Sequence, residues 1–178
     1  MNALVVYESV YGNTRAVAEA IADGLDGADV VPVHRAPAQL DDVDLLVVGG
    51  PTHMHGMTTA RSRRLAVDGV HEDGAGHVEP DAAEEPGLRA WIRELPDRRG
   101  ARAVTFDTRL DRSPWLTGVA SRGIAKRLRR HGYEILATDS FLVQDAEGPL
   151  ADGELERARA WGMQVAASAP VAASTDAS

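Results

Sequence analysis

The sequence predicts an α/β protein built on a doubly wound parallel sheet, and three observations carry that expectation. The first is the opening stretch, where a short apolar strand, Ala3 to Tyr7, runs through the polar loop Glu8-Ser9-Val10-Tyr11-Gly12-Asn13-Thr14 into a helix. That helix carries Val17, Ile21 and Leu25 at i, i+4 and i+8, one buried stripe. The second is Asp44-Leu45-Leu46-Val47-Val48, a nearly continuous apolar run of the kind a central strand needs when helices cover both its faces. The third is Pro32 within Asp29-Val30-Val31-Pro32-Val33. Proline cannot donate to a ladder, so this strand belongs at an edge. A five-stranded sheet in the order 2-1-3-4-5 places its second strand there.

The remaining elements follow in chain order. Ala36 to Asp42 is a short polar connection, and Gly49-Gly50-Pro51-Thr52-His53-Met54-His55-Gly56-Met57 reads as a loop at the carboxyl end of the third strand. Leu65 to Gly87 is rich in Gly, Pro and acids with few large apolar residues, which predicts a mobile insertion contributing little to the core. Leu88, Trp91, Ile92 and Leu95 restore helical spacing, and Pro96 ends that helix. Ala101 to Phe106 is the fourth strand, with Asp107 to Trp115 as the loop beyond it. Leu116, Val119, Ile124 and Leu128 give the next helix an apolar side, while Arg122, Lys126, Arg127, Arg129 and Arg130 make the rest basic. Glu134 to Val143 holds the fifth strand, expected to break near Thr138-Asp139-Ser140. Leu155, Ala158, Gly162 and Val165 mark the inner side of the last helix.

At 178 residues the chain is expected to form one domain over 1–167, with a disordered Ala, Ser and Pro tail over 168–178. Aromatic residues make up only 4%, so the core must be built from Val, Leu, Ile and Ala. There is no cysteine, which excludes disulfides, thiolate nucleophiles, iron–sulfur clusters and Cys zinc sites, and leaves redox chemistry to a bound cofactor. A net charge of −8 argues against a broad nucleic-acid surface and suits attraction to basic partners. The charge is uneven: residues 68–97 hold nine acids against two arginines, and residues 109–130 hold seven basic residues against one aspartate. The chain opens on a strand without an apolar leader and has no run long enough to span a bilayer, so a cytoplasmic monomer without membrane insertion is expected.

The chemistry concentrates in the opening loop. A helix start leaves its first N–H groups without partners and carries partial positive charge, so a phosphate monoester can be held there without Lys or Arg. Gly12 lets the backbone approach closely. The same residues admit a second reading, in which Ser9, Asn13 and Thr14 only cap the helix. A P-loop and a Gly-x-Gly-x-x-Gly dinucleotide loop are both excluded, because Gly12 stands alone. His53 and His55 with His71 and His77 raise a metal site as a further option, but they lack zinc-site spacing, and no metal is expected.

Ser9-Val10-Tyr11-Gly12-Asn13-Thr14 resembles the first loop of the flavodoxin family, Ser/Thr-x-Thr-Gly-x-Thr, at five of six places. The departure is Tyr11, and a Tyr is common there in the related flavin-dependent quinone reductases. Gly50-Pro51-Thr52 resembles the opening of the family's second flavin loop, an independent match. The resemblance covers residues 1 to about 167. It implies a three-layer flavodoxin-like sandwich that binds FMN noncovalently. Ser9, Val10, Tyr11, Gly12, Asn13 and Thr14 would hold the phosphate. Pro51, Thr52, His53, Met54, His55 and Gly56 would border one side of the isoalloxazine, and Asp107, Thr108 and Arg109 the other. Flavodoxins commonly stack the ring between aromatic side chains. Here the second loop offers only His and Met, with Trp115 or Phe106 as candidates opposite.

Three functional classes follow from the resemblance. An electron carrier would meet a redox partner protein with a basic face. An FMN-dependent enzyme, of the quinone reductase or protoporphyrinogen oxidase-like kind, would use a small quinone-like acceptor. A flavin-free binding or signalling domain is the third class, and a phospho-receiver is disfavoured because Glu8 lacks a companion acid and the third strand ends in Gly49-Gly50-Pro51 rather than Asp.

Overall fold

The computed structural model describes residues 1–53, 56–73, 78–112, 118–145 and 147–169, without the side chains of 69–73. The strands are β1 (Ala3–Tyr7), β2 (Asp29–Pro32), β3 (Leu45–His53), β4 (Gly56–Met57), β5 (Arg102–Leu110) and β6 (Glu134–Val143). The helices are α1 (Asn13–Gly24), α2 (Ala60–Asp73), α3 (Leu88–Glu94), α4 (Ala120–Arg130) and α5 (Glu154–Ser168). Five strands pair in parallel in the order β2-β1-β3-β5-β6, and β4 folds back antiparallel on β3. With that short return strand set aside, this is the expected 2-1-3-4-5 order. Pro32 ends the edge strand β2, paired with Tyr7, where its missing N–H costs no ladder bond inside the sheet.

Strand alternation sends successive side chains to opposite faces, and each face has its own core. Leu4, Val6, Leu46 and Val48 meet Leu88, Trp91, Ile92, Ile124 and Leu128 of α3 and α4. Val5, Val47, Val104 and Phe106 meet Val17 and Ile21 of α1 and Ala158, Trp161 and Val165 of α5. The result is three layers. On the second face α1 and α5 approach through glycines: a Cβ on Gly24 would lie 2.1 Å from the Arg159 carbonyl, and one on Gly162 2.3 Å from the Ile21 carbonyl.

Several expectations need correction. β3 does not stop at Val48 but runs through Gly49 and Gly50 to His53 and returns as β4, pairing Thr52 with Met57 and His53 with Gly56. The glycine is required there because a Cβ on Gly49 would sit 2.1 Å from the Phe106 ring. β5 likewise continues past Phe106 to Leu110.

β6 is unbroken at Thr138-Asp139-Ser140, because those polar groups find partners: the Thr138 hydroxyl bonds that of Thr105 at 3.0 Å, and Asp139 accepts from Arg157 at 2.8 Å. Its irregularity falls instead opposite Ala103/Val104. Leu155 is exposed, and Trp161 takes the place expected for it in the buried stripe of α5. Of the tail expected to be disordered from residue 168, Ser168 ends α5 and Ala169 is buried, and residues 170–178 lie outside the described residues.

Of the segment expected to be a mobile insertion, residues 65–73 continue α2, residues 78–87 are held to the rest of the domain, and residues 74–77 lie outside the described residues. Thr59 and Ser62 cap α2 reciprocally, the Ser62 amide donating to Thr59 Oγ1 at 3.1 Å and the Thr59 amide to Ser62 Oγ at 2.8 Å. Beyond α2 the Glu79 amide donates to the Val10 carbonyl at 2.8 Å, and Ala82 is buried. Among the described residues no helix is long and apolar enough to cross a membrane.

Candidate functional site

The three segments singled out in the sequence converge at the carboxyl ends of the parallel strands. Pro51 and Thr108 are register partners on β3 and β5. Thr108 is buried, and its hydroxyl shares a 2.7 Å hydrogen bond with that of Thr14 in the first turn of α1. One chain of contacts therefore links the first loop to both of the others. This is the crevice where open α/β sheets bind ligands.

The start of α1 is the centre of the site. Gly12 precedes the helix with φ of 85°, a conformation that side-chain-bearing residues rarely adopt, and as the N-cap residue it brings no side chain of its own to the first amides of α1. Each polar residue that could have capped it is engaged elsewhere. Ser9 Oγ accepts from the Gly12 amide at 3.1 Å, Asn13 Nδ2 donates to the Glu147 carbonyl at 3.0 Å, and Thr14 is turned to Thr108. Among the described residues none of these three side chains caps α1, so the reading in which they serve only as caps finds no hydrogen bond to support it. Val10 is buried beneath the loop. Tyr11 is partly exposed, and burial together with the Glu147 charge pushes its phenol above the ordinary range. Glu79 stands at the rim, its carboxylate 3.2 Å from where a Cβ on Gly12 would be and 3.5 Å from Arg15.

In the second segment β3 and β4 pair antiparallel on either side of residues 54–55. Thr52 Oγ1 accepts from the Ala120 amide at 2.9 Å, so this residue serves the start of α4. Arg89 clamps the return strand through the Thr58 and Met57 carbonyls at 2.7 and 2.6 Å. His53 is exposed at the end of β3, Pro51 and Gly56 are partly exposed, and Met54 and His55 lie outside the described residues.

In the third segment Asp107 is fully buried and accepts from the Ser121 amide at 2.8 Å, a second cap for α4. Burial pushes its carboxyl above the usual range, against the opposing pull of the Ser121 amide and the Ser140 hydroxyl. Asp107 thus supports the site from below. Arg109 is turned along its own strand end, donating to the Leu110 and Arg112 carbonyls at 3.2 and 2.8 Å. Ser113 to Trp115 lie outside the described residues, and Phe106 is a fully buried core residue packed edge-on against Phe141.

One charged network was not visible in the sequence. Glu8, at the exit of β1 and one residue before Ser9, is buried and accepts from Arg63 at 3.1 Å and from the Leu88 amide at 2.8 Å. Arg63 is itself buried and reaches Glu85 at 2.6 Å. Burial raises the Glu8 carboxyl pKa, and Arg63 and the Leu88 amide oppose that rise. This network anchors α2 and α3 to the root of the first loop. Nothing local marks it, because Arg63 lies 55 residues from Glu8 along the chain.

No group of three or more possible metal ligands occurs among the described residues. The side chain of His71 and all of His77 lie outside them.

Residues 4–62 match the family described as Flavodoxin domain. No curated protein sequence matches the chain. Among solved structures, a flavodoxin from the domain Archaea superposes with TM-score 0.58 at 19% identity, covering 94% of this chain and 97% of the other. A flavodoxin, WrbA-like protein from Agrobacterium tumefaciens gives 0.55 at 21%, covering 94% and 96%. The Streptococcus pneumonia TIGR4 flavodoxin gives 0.62 at 17%, covering 94% and 99%. The sheet order, the flanking helices and the family match over the first loop and hairpin agree, and the chain has a flavodoxin-like fold.

Proposed function

We propose that the chain is an FMN-binding electron-transfer protein. The observation that carries this reading is the start of α1, whose neighbours Ser9, Asn13 and Thr14 turn their side chains to other partners and, among the described residues, do not cap it. The first amides of α1 would hold the phosphate, with Ser9, Tyr11 and Thr14 around it and Gly12 leaving room for it. Pro51 to Gly56 would border one side of the ring. Thr108 and Arg109 would lie on the other side, with Asp107 beneath them as a positioning residue. Charge-assisted hydrogen bonds contribute about 1.5–3 kcal/mol each, so two or three at one phosphate support tight binding. FMN, when bound, supplies the capacity to take and give electrons one or two at a time.

The carrier reading is favoured over a self-sufficient reductase because the chain is short and acidic and, among the described residues of the site, none forms a recognisable nicotinamide pocket. A separate reductase would supply the electrons and a partner protein would receive them. The competing reading, an FMN-dependent quinone reductase or protoporphyrinogen oxidase-like enzyme, draws on Tyr11 and would use a small quinone-like acceptor. The test is the absorbance spectrum of the purified protein, followed by mixing the FMN-loaded chain with NADH or NADPH and a quinone. A flavin spectrum without sustained nicotinamide oxidation is expected. Multiple turnovers without a reductase would replace the carrier with the enzyme.

A further inference from the structure

Beside the hairpin the chain carries a stripe of cations that its own acids do not neutralise. Arg122, Lys126, Arg129 and Arg130 stand at i, i+4, i+7 and i+8 on α4, share one face and are exposed. α4 contains no acid, and none of these four makes an ion pair among the described residues. Arg127 and Arg89 extend the patch toward the hairpin. Arg127 donates to the Gly123 carbonyl at 3.0 Å, and a Cβ on Gly123 would lie 3.7 Å from Met57 of β4. Burial, then the charges of Arg89 and Arg130, lower the Arg127 pKa, so these cations feel one another. Like charges at i, i+4 destabilise a helix. A counter-charge from outside would relieve that repulsion.

The stripe is also placed to matter. The first amides of α4 are held by Thr52 and Asp107, which belong to the two segments assigned to the ring. Three of the acids near the first loop, in contrast, already have internal partners. Glu79 faces Arg15 at 3.5 Å, Asp81 faces His34 at 3.4 Å, and Glu85 meets Arg63 at 2.6 Å. At a Debye length of about 8 Å a docking partner responds to the charges it touches and not to the total. The net charge of −8 points to a basic partner. The surface beside the site points the other way.

We propose that the α4 face next to the hairpin docks an acidic patch on the redox partner protein, which rests on the electron-transfer reading above. A nucleic acid fits less well. The stripe is about 12 Å long at 1.5 Å per residue, two turns of helix. An extended polyanion would run past it onto a chain that is negative overall.

The test uses the flavin-free chain and a fluorescein-labelled oligoglutamate peptide, read by fluorescence anisotropy at low salt. Binding should weaken with added salt. It should fall at least about tenfold, roughly 1.4 kcal/mol, in the Arg122→Gln, Lys126→Gln, Arg129→Gln variant. It should not fall in an Asp81→Asn, Glu84→Gln control. Equal affinity in the triple variant overturns the proposal, and so does tighter binding of a DNA duplex than of the peptide. The photoreduced, FMN-loaded chain supplies the second arm. Its oxidation by anionic ferricyanide should slow as ionic strength rises, and the triple variant should lose that dependence. A wild-type rate that rises with salt would separate the stripe from the redox site. Because the peptide arm needs no flavin, failure of the chain to bind FMN removes the electron-transfer reading without deciding the surface.

Discussion

Replacing Arg63 with Met tests the buried network under the first loop. Arg63 and Glu8 are only 3% and 5% exposed, and the guanidinium supplies one of the two hydrogen bonds that Glu8 accepts. Arg63→Met keeps much of the side-chain volume but leaves a buried carboxylate with the Leu88 amide alone. Breaking a buried pair in this way costs about 3–5 kcal/mol. That is a large part of the 5–15 kcal/mol that holds a typical domain folded. The loss on the Glu85 side adds little, since that carboxylate is 46% exposed and recovers water.

The pH dependence has a definite sign. Burial already raises the folded-state pKa of Glu8, and removing the opposing charge of Arg63 raises it further. For a carboxyl raised on folding, the stabilising contribution is complete below the unfolded pKa and is lost as pH rises through the folded one. The deficit of Arg63→Met should therefore be largest near neutral pH and shrink on acidification. Urea unfolding followed by the fluorescence of Trp91 and Trp161 reads it at about pH 7 and about pH 5. The double variant Glu8→Leu, Arg63→Met should recover most of the loss, because it leaves no orphaned charge. A deficit below about 1 kcal/mol, or one equal at the two pH values, would refute the reasoning.

Two further outcomes follow from the same geometry. Gly24→Ala places a methyl 2.1 Å from the Arg159 carbonyl and should cost about 1–3 kcal/mol by forcing α1 and α5 apart, seen as a lower urea midpoint. Asp107→Asn keeps an acceptor for the Ser121 amide but removes a carboxyl that burial has raised, so its stability relative to wild type should improve as pH rises from acid to neutral; a constant difference in urea unfolding across that range would count against the assigned pKa direction.

Much of the fold was legible because strands and helices declared themselves by period. The apolar runs of β1 and β3 and the stripe of α1 were legible locally and Pro32 placed β2 at an edge, while the full order of the sheet came from the resemblance of the first loop. The failures have a common cause in partners distant along the chain. Leu65 to Gly87 lacks apolar content, and what organises its start is Arg63, buried by an ion pair with Glu8 from the other end of the domain. Thr138, Asp139 and Ser140 look like a break, but Thr105 and Arg157 satisfy the first two across the sheet and from α5. Gly49 reads as loop because its need for Phe106 cannot be seen from either segment.

Within the site, the convergence of the three segments was legible, while their division of labour was not. Thr52 and Asp107 were expected beside the ring, yet both hold the start of α4. A hydroxyl or carboxylate at a strand end serves ligand or helix equally well by type, and only the position of the helix decides.

The central claim is that the start of α1 binds the phosphate of FMN, and a paired titration tests it most directly. The flavin-free chain is titrated with FMN and with riboflavin, which lacks the phosphate, and affinity is read from flavin fluorescence quenching. Two charge-assisted hydrogen bonds at the lower end of their range correspond to a preference for FMN of at least about a hundredfold. In Gly12→Val, where the backbone at φ of 85° and the nearby Glu79 carboxylate leave a branched side chain no relaxed position, that preference should collapse. Equal affinity for FMN and riboflavin in the wild type, or an undiminished preference in Gly12→Val, would contradict the assignment of the phosphate to this helix start.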